Sequence, residues 1–368
     1  MNSFQSWVVS FVIFLMAPFG YTNTFDIAAI VATGDHQSPS AREKICVYEG
    51  MVKNAMSRGL PVRLKLFDNE RSPLKSEEAA HLIVATDVNV VLGSLISSEA
   101  LPAAEVLENA KIPFVVNGTT PELTMGRSQV VGLFANDYTQ AVILAEYAEA
   151  LKPKHVIIVQ NASSKYSIFL ASEFAAQLLN RLPDTRVTTE SIFKNYPFFG
   201  RLANIIVNEK PDIIFTPLYN PNIAQLYNAL DEAGNTADLL GSDSVGGRSE
   251  FYNFIGTKSK NFDLLFVRNS SGKYVGDSEL FYQIHEEACR PVGIKPSYVG
   301  AAAFDVINSV LKMVELYGVV PRSDVVIKLK AQPYFGLLGQ SSFQQGGTRK
   351  TLYLFKVGEG ENELVKNL

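Results

Sequence analysis

Beyond residue 24, short β-branched and aliphatic runs alternate with amphipathic stretches of helical period. That alternation restricts the chain to parallel sheet covered by helices. FDIAAIVATG reads as a first strand, followed by a helix from Ala41 to Arg58 that Gly59 ends. VRLKLFDNE is a second strand, SPLKSEEAAHLIVATD a helix capped by Ser72, and VNVVLGSL a third strand. SSEALPAAEVLENAK then predicts a helix and IPFVVNG a fourth strand.

The rhythm restarts after Asp137, with a helix from Tyr138 to Leu151, the strand HVIIVQN, a helix from Ser167 to Arg181 and the strand VTTESIF. A helix across Arg201 to Glu209, the strand PDIIFTPLY, a helix from Ile223 to Ala233 and a short strand around ADLLGSD follow. Two βα series in one chain imply two lobes. A late helix, AAAFDVINSVLKMVELYG, and a strand-rich tail, GLLGQSSFQQGGTRKTLYLFKV, come after both, so the chain returns to each lobe. There is no low-complexity linker, so the connections between lobes are short.

Composition narrows the function. With 33 basic against 37 acidic side chains, the net charge of −4 offers no long-range attraction to nucleic acid. Cys46 and Cys289 are too few and too far apart for a zinc site or a CxxC motif, and the four histidines form no HExxH pair, so no metal is expected. No GxxxxGK[ST], GxSxG or dinucleotide fingerprint occurs, so neither an enzyme nor a cofactor is indicated. The uncharged leader MNSFQSWVVSFVIFLMAPFGYTNT has an apolar core from Trp7 to Phe19. That core is shorter than the roughly 20 helical residues that span a bilayer. Residues 1–24 therefore read as a secretory signal peptide, with an uncleaved anchor as the alternative, and the body is expected in the periplasm or outside the cell. An oxidising compartment permits a Cys46–Cys289 disulfide without requiring one. The helical position of Cys46 reads as a small buried apolar residue.

Residues 90–124, VVLGSLISSEALPAAEVLENAKIPFVVNGTTPELT, carry the most information. One strand ends at Gly93 and runs through Ser97 and Ser98 into a helix, placing hydroxyls and free N–H groups where an anion docks. The next strand ends in Asn117-Gly118-Thr119-Thr120, so two polar loops share one carboxyl edge, where open α/β sheets bind ligands. Taken singly, Ser97 also reads as an N-cap, and Thr119 as part of a turn.

With Phe67-Asp68-Asn69, Asp137 and Gln140, Tyr166, Tyr219-Asn220-Pro221, Gly241-Ser242-Asp243, Ala303-Phe304-Asp305 and Gly336-Leu337-Leu338-Gly339 in that order, the chain resembles the periplasmic leucine/isoleucine/valine-binding protein family. These are the type I solute receptors of ABC importers. The resemblance implies a type I periplasmic binding protein fold, with two Rossmann-like lobes joined by three crossovers. Residues 25–137 and 268–335 would form the N-terminal lobe, and 138–267 and 336–368 the C-terminal lobe. It implies a small polar ligand, an amino acid or related amide, held in the interlobe cleft without a cofactor and delivered to ABC permease membrane subunits. A same-fold sensor or interaction module that regulates an envelope enzyme is the alternative.

Carried over residue by residue, Ser97, Asn117 and Thr119 take the first-lobe positions for an amino acid's carboxylate and ammonium. Tyr166, Tyr219 and Asp243 take the second-lobe positions. Asp243 stands where the family has a longer Glu, and Asn117 where it has a small residue. The glycine-rich loop after the first strand is here Gly34-Asp35-His36-Gln37-Ser38-Pro39, and neither Arg71 nor Ile96 is the family's Cys. These departures leave the fold reading intact and bear on the ligand.

Overall fold

Two sheets, each with helices on both faces, account for most of the chain in the computed structural model. It describes residues 24–368 apart from residues 95, 194, 246–248, 256–259, 345–346 and 359–361. All but the last residue of the predicted signal segment lies outside the described residues.

The first sheet consists of β1 (Phe25–Ile30), β2 (Val62–Phe67), β3 (Val90–Leu92), β4 (Phe114–Val116) and β5 (Val130–Gly132), all parallel, in the order β2-β1-β3-β4-β5. The second contains β6 (His155–Asn161), β7 (Arg186–Ile192), β8 (Ile213–Thr216), β9 (Asp238–Gly241) and β10 (Leu264–Arg268), parallel in the order β7-β6-β8-β9-β10. A small antiparallel sheet holds β11 (Tyr334–Gly336), β12 (Gly339–Gln344) and β13 (Gly347–Arg349). Next, β14 (Tyr353–Val357) and β15 (Asn362–Asn367) extend the second sheet antiparallel beyond β10. Each large sheet therefore reverses its direction of growth once, between β1 and β3 and between β6 and β8.

The first sheet is covered by α1 (Pro39–Ser57), α2 (Pro73–Val84) and α3 (Ser97–Asn109). The second is covered by α4 (Asp137–Leu151), α5 (Lys165–Arg181), α6 (Phe199–Glu209), α7 (Asn222–Glu232) and α8 (Ser249–Ile255). The chain then returns through α9 (Ser278–Ile284), α10 (Tyr298–Tyr317) and α11 (Arg322–Lys330), which pack in the core of the first sheet. The chain thus passes between the sheets after β5, after β10 and after β13.

Local chemistry explains where helices start. Ser38 and Ser72 accept the N–H groups of Ala41 and Lys75, each followed by a proline in the first turn, where its missing N–H costs nothing. Asn136 caps α4 through Thr139 N–H. Helix α10 is buried along nearly its whole length because α1 lies on one side and β1 on another. Full burial of side chains such as Phe304, Ile307 and Leu311 contributes about 1.5–3 kcal/mol each.

Cys46 of α1 is bonded to Cys289 in the turn after α9, with an S–S distance of 2.03 Å. Cys46 is buried in the core as its helical position indicated, and the reading of it as merely a small apolar side chain is corrected by the bond. Its partner lies 243 residues away, a separation at which helical spacing carries no information about pairing.

Candidate functional site

The reversal in the second sheet positions an aromatic pair. Where β6 gives way to α5, Ser167 Oγ accepts the Asn161 N–H at 2.8 Å and Ser164 caps the helix, so the head of α5 is clamped to the strand. Tyr166 sits in that head, fully buried. Tyr219 follows β8, the neighbouring strand whose connection leaves the other way, and the two rings stack with centroids 4.7 Å apart and an interplanar angle of 17°. The Tyr166 hydroxyl lies 2.6 Å from Ser242 Oγ and 3.1 Å from Asp243 Oδ1, in the loop after β9. That loop is anchored by Ser244, which donates to Leu218 O at 2.7 Å.

From the first sheet comes the loop after β4. Ser97 Oγ, at the head of α3, accepts the N–H groups of Thr119 and Thr120 at 3.1 and 3.2 Å. Gly118 makes this approach possible, since a Cβ there would lie 2.6 Å from Leu123 Cδ1 and 3.4 Å from Ser97 Cα. Asn117 donates to Ala302 O in α10 at 2.8 Å, and its buried Oδ1 has no hydrogen-bond partner.

Asn117, Thr119, Tyr166, Tyr219 and Asp243 line one cavity together with Phe134, Ser244 and Tyr298. Five of the six residues singled out in the sequence are thus brought together from the carboxyl edges of both sheets. The sixth, Ser97, does not line the cavity and instead secures the loop that carries Thr119. The cavity measures about 20 Å³, room for a water-sized group, so a larger ligand enters only if walls contributed by separate sheets move apart.

Sequence reasoning passed over Asp137 and Gln140 as site residues, although it noted them as a motif. Asp137 opens α4, and Gln140, one turn on, donates to its Oδ1 at 2.9 Å while accepting the Asp243 N–H at 3.2 Å. The i,i+3 spacing at a helix start was the available signal. Burial, together with repulsion from Asp243, holds the Asp137 carboxyl well above its ordinary range, against a hydrogen bond from Thr119. Burial and the same Asp243 charge raise the Tyr166 hydroxyl. Phe134 and Tyr298, stacked with centroids 6.2 Å apart, close another wall and had no sequence signature. Among the described residues no group of three His, Cys, Asp or Glu could hold a metal ion.

Comparison with known proteins agrees with this architecture. Residues 51–249, more than half of the chain, match the family model described as periplasmic binding protein. A Leu/Ile/Val-binding protein of Rhizobium johnstonii is 29% identical over 226 residues, 61% of this chain and 60% of that protein. A Leu/Ile/Val-binding protein homologue of Brucella melitensis is 26% identical over 63% of this chain and 62% of its own. The chain thus spans about 60% of the length of these curated relatives. A leucine-binding protein from Thermotoga maritima superposes with a TM-score of 0.80 over 94% of this chain and 99% of that one, at 21% identity. A solute-binding protein from R. palustris in complex with 4-hydroxybenzoate gives 0.77 over 94% and 96%, at 18% identity.

Proposed function

The chain belongs to the periplasmic binding protein family, and from that premise we propose that it is an extracytoplasmic receptor that captures an amino acid or a related amide for an ABC importer. One observation carries the reading. The cleft cavity is lined by Asp243, has the buried Asp137 bonded behind it, and has no Lys, Arg or His among its described lining residues. A carboxylate on the lining with a second one behind it favours a ligand that brings its own positive charge, and an ammonium group offsets the repulsion that lifts Asp137. Thr119 and Asn117 receive the other end of a zwitterion.

Relatives differ in cargo. A Streptococcus pneumoniae binding protein holds isoleucine, and the R. palustris protein holds 4-hydroxybenzoate. A benzoate has no ammonium and would face both carboxylates here, so the cleft favours the amino-acid class. Only a closed cleft lets both sheets contact the ligand, so binding draws the protein towards closure. A micromolar affinity needs about 8 kcal/mol.

Isothermal titration of the purified protein with a panel of amino acids, amides and benzoates tests the reading. Binding of at least one amino acid, lost in Asp243→Ala and largely kept in Asp243→Glu, is the expected result. Unchanged binding by the Ala variant, or binding of benzoates alone, would overturn it.

A further inference from the structure

Arg268, the last residue of β10, is only 6% exposed, and its guanidinium is held among aromatic rings. Its Cζ lies 5.1 Å from the ring centroids of Phe266 and of Phe355, and 5.2 Å from that of Tyr298. The two phenylalanines belong to paired strands of the second sheet. Tyr298 opens α10, packs against the core of the first sheet and lines the cleft cavity. A cation fixed in one lobe therefore rests directly on a cleft wall supplied by the other.

Nothing around Arg268 neutralises it. Its Nε and Nη2 make no hydrogen bond, and among the described residues no carboxylate pairs with it. The groups that act on it are the hydroxyls of Tyr252, Tyr274 and Tyr298, which are uncharged at ordinary pH. Burial lowers its pKa, yet an arginine's lies so high that the group stays charged. Ring faces attract a cation without cancelling its charge. Lys350, 6.0 Å from the Phe134 ring of the same cleft, is different, since the buried Asp305 acts on it and its Nζ donates to Gly339 O and Ser341 Oγ. Arg268 is left as a buried cation whose counter-charge these surroundings do not supply, an arrangement that costs stability.

The carboxylate end of a zwitterion would lie on this side of the cleft. Asn117, which receives that end, donates to Ala302 O, and Ala302 stands one turn from Tyr298 along α10. A ligand group in contact with the Tyr298 ring lies within about 10 Å of the guanidinium. At that separation two unit charges in a protein's effective dielectric change an affinity roughly tenfold. A carboxylate gains by that factor and a neutral carboxamide of the same shape does not, while an ammonium is driven towards Asp243.

We infer that Arg268 is a specificity-determining residue that selects for a free carboxylate on the ligand, acting across the Tyr298 wall without touching the ligand itself. The inference rests on the cleft being an amino-acid site and narrows it: Asp243 answers the ammonium, and Arg268 favours the amino acid over its own α-carboxamide.

Titration calorimetry with the amino acids of the panel and the α-carboxamide of each, L-leucine with L-leucinamide among them, tests this. An amino acid should bind the parent at least about tenfold more tightly than its carboxamide. Arg268→Met keeps a long apolar chain among the rings, removes the charge, and should reduce that preference about tenfold. Arg268→Lys keeps the charge and should hold the preference within about threefold of the parent's. A purely structural role would weaken both ligands together and would not follow the charge. Arg268→Gln gives the same comparison where the Met variant fails to retain the parent's circular dichroism. A parent that binds both forms equally, a neutral variant with unchanged preference, or a Lys variant that loses it as fully as Met does, overturns the role of Arg268 while the cleft reading stands. Absence of binding by every amino acid overturns both.

Discussion

Asp137, at the head of α4, and Asp243, in the loop after β9, are held by one side chain, since Gln140 donates to the Asp137 carboxylate and accepts the Asp243 N–H. Without a ligand this arrangement is electrostatically costly, because Asp137 is buried and faces a second negative charge.

The cost has a definite sign with pH. A carboxyl raised in the folded state keeps a proton that the unfolded chain has already released, so stability falls as pH rises from the ordinary Asp value through the raised one. Asp137→Asn should flatten that slope, raise the unfolding temperature at neutral pH and weaken amino-acid binding. Thermal melts across a pH series, paired with calorimetry, check all three; a variant whose melting temperature follows pH as the parent's does would refute the account.

Tyr166→Phe keeps the ring stacked on Tyr219 and removes the hydroxyl shared with Ser242 and Asp243. A hydrogen bond of this kind contributes about 1 kcal/mol, so ligand affinity should fall about fivefold. Tyr219→Ala, which removes the stacked surface itself, should cost more than the Phe change. Equal losses in the two variants would indicate that the stack carries no binding energy.

Glu43 does not line the cleft cavity and titrates apart from Asp137. Burial pushes its carboxyl up to about 7 although it accepts the Ser297 N–H at 2.8 Å, and desolvation lowers the nearby His285 to about 4. Stability from the first source is lost as pH rises towards about 7, and from the second as pH falls below the ordinary histidine value. Glu43→Gln should therefore raise the melting temperature more on the alkaline side than on the acid side, which differential scanning calorimetry at two pH values reads directly.

Reduction of the Cys46–Cys289 bond should lower stability by about 2–5 kcal/mol, because it frees a very long loop in the unfolded chain. Neither sulfur lines the cleft, so affinity measured well below the melting temperature should stay within about twofold. Melts with and without reductant, followed by titration of the reduced protein, separate these effects.

Much of this architecture was visible in the residues because strand and helix periods are local. Ser72 caps α2, and VVLGSL, PFVVNG and HVIIVQN fall on β3, β4 and β6. LLFVR, which became β10, was passed over because a short apolar run with no alternation does not distinguish strand from helix. Five of the six residues carried over from the family resemblance share a cavity, because the order of strands and loops that the resemblance matches also sets which loops meet. Ser97 was chosen for its hydroxyl, and whether a hydroxyl meets a ligand or a neighbouring N–H depends on a loop 22 residues away. Asp137 escaped for the opposite reason: its significance lies in the charge of Asp243, and no local pattern encodes a repulsion between distant carboxylates.

The interleaving of the chain also bears on its assembly in time. The first sheet is complete in strands by Gly132, yet the helix that seals β1, α10, begins only at Tyr298. The second sheet waits longer, for β14 and β15 near residue 360. A chain emerging from its amino terminus would therefore leave one face of the first sheet uncovered until α10 arrives, and the β10 edge of the second unpaired until β14 arrives. Neither half is completed by its own first stretch of chain, which ties the maturation of one to the other.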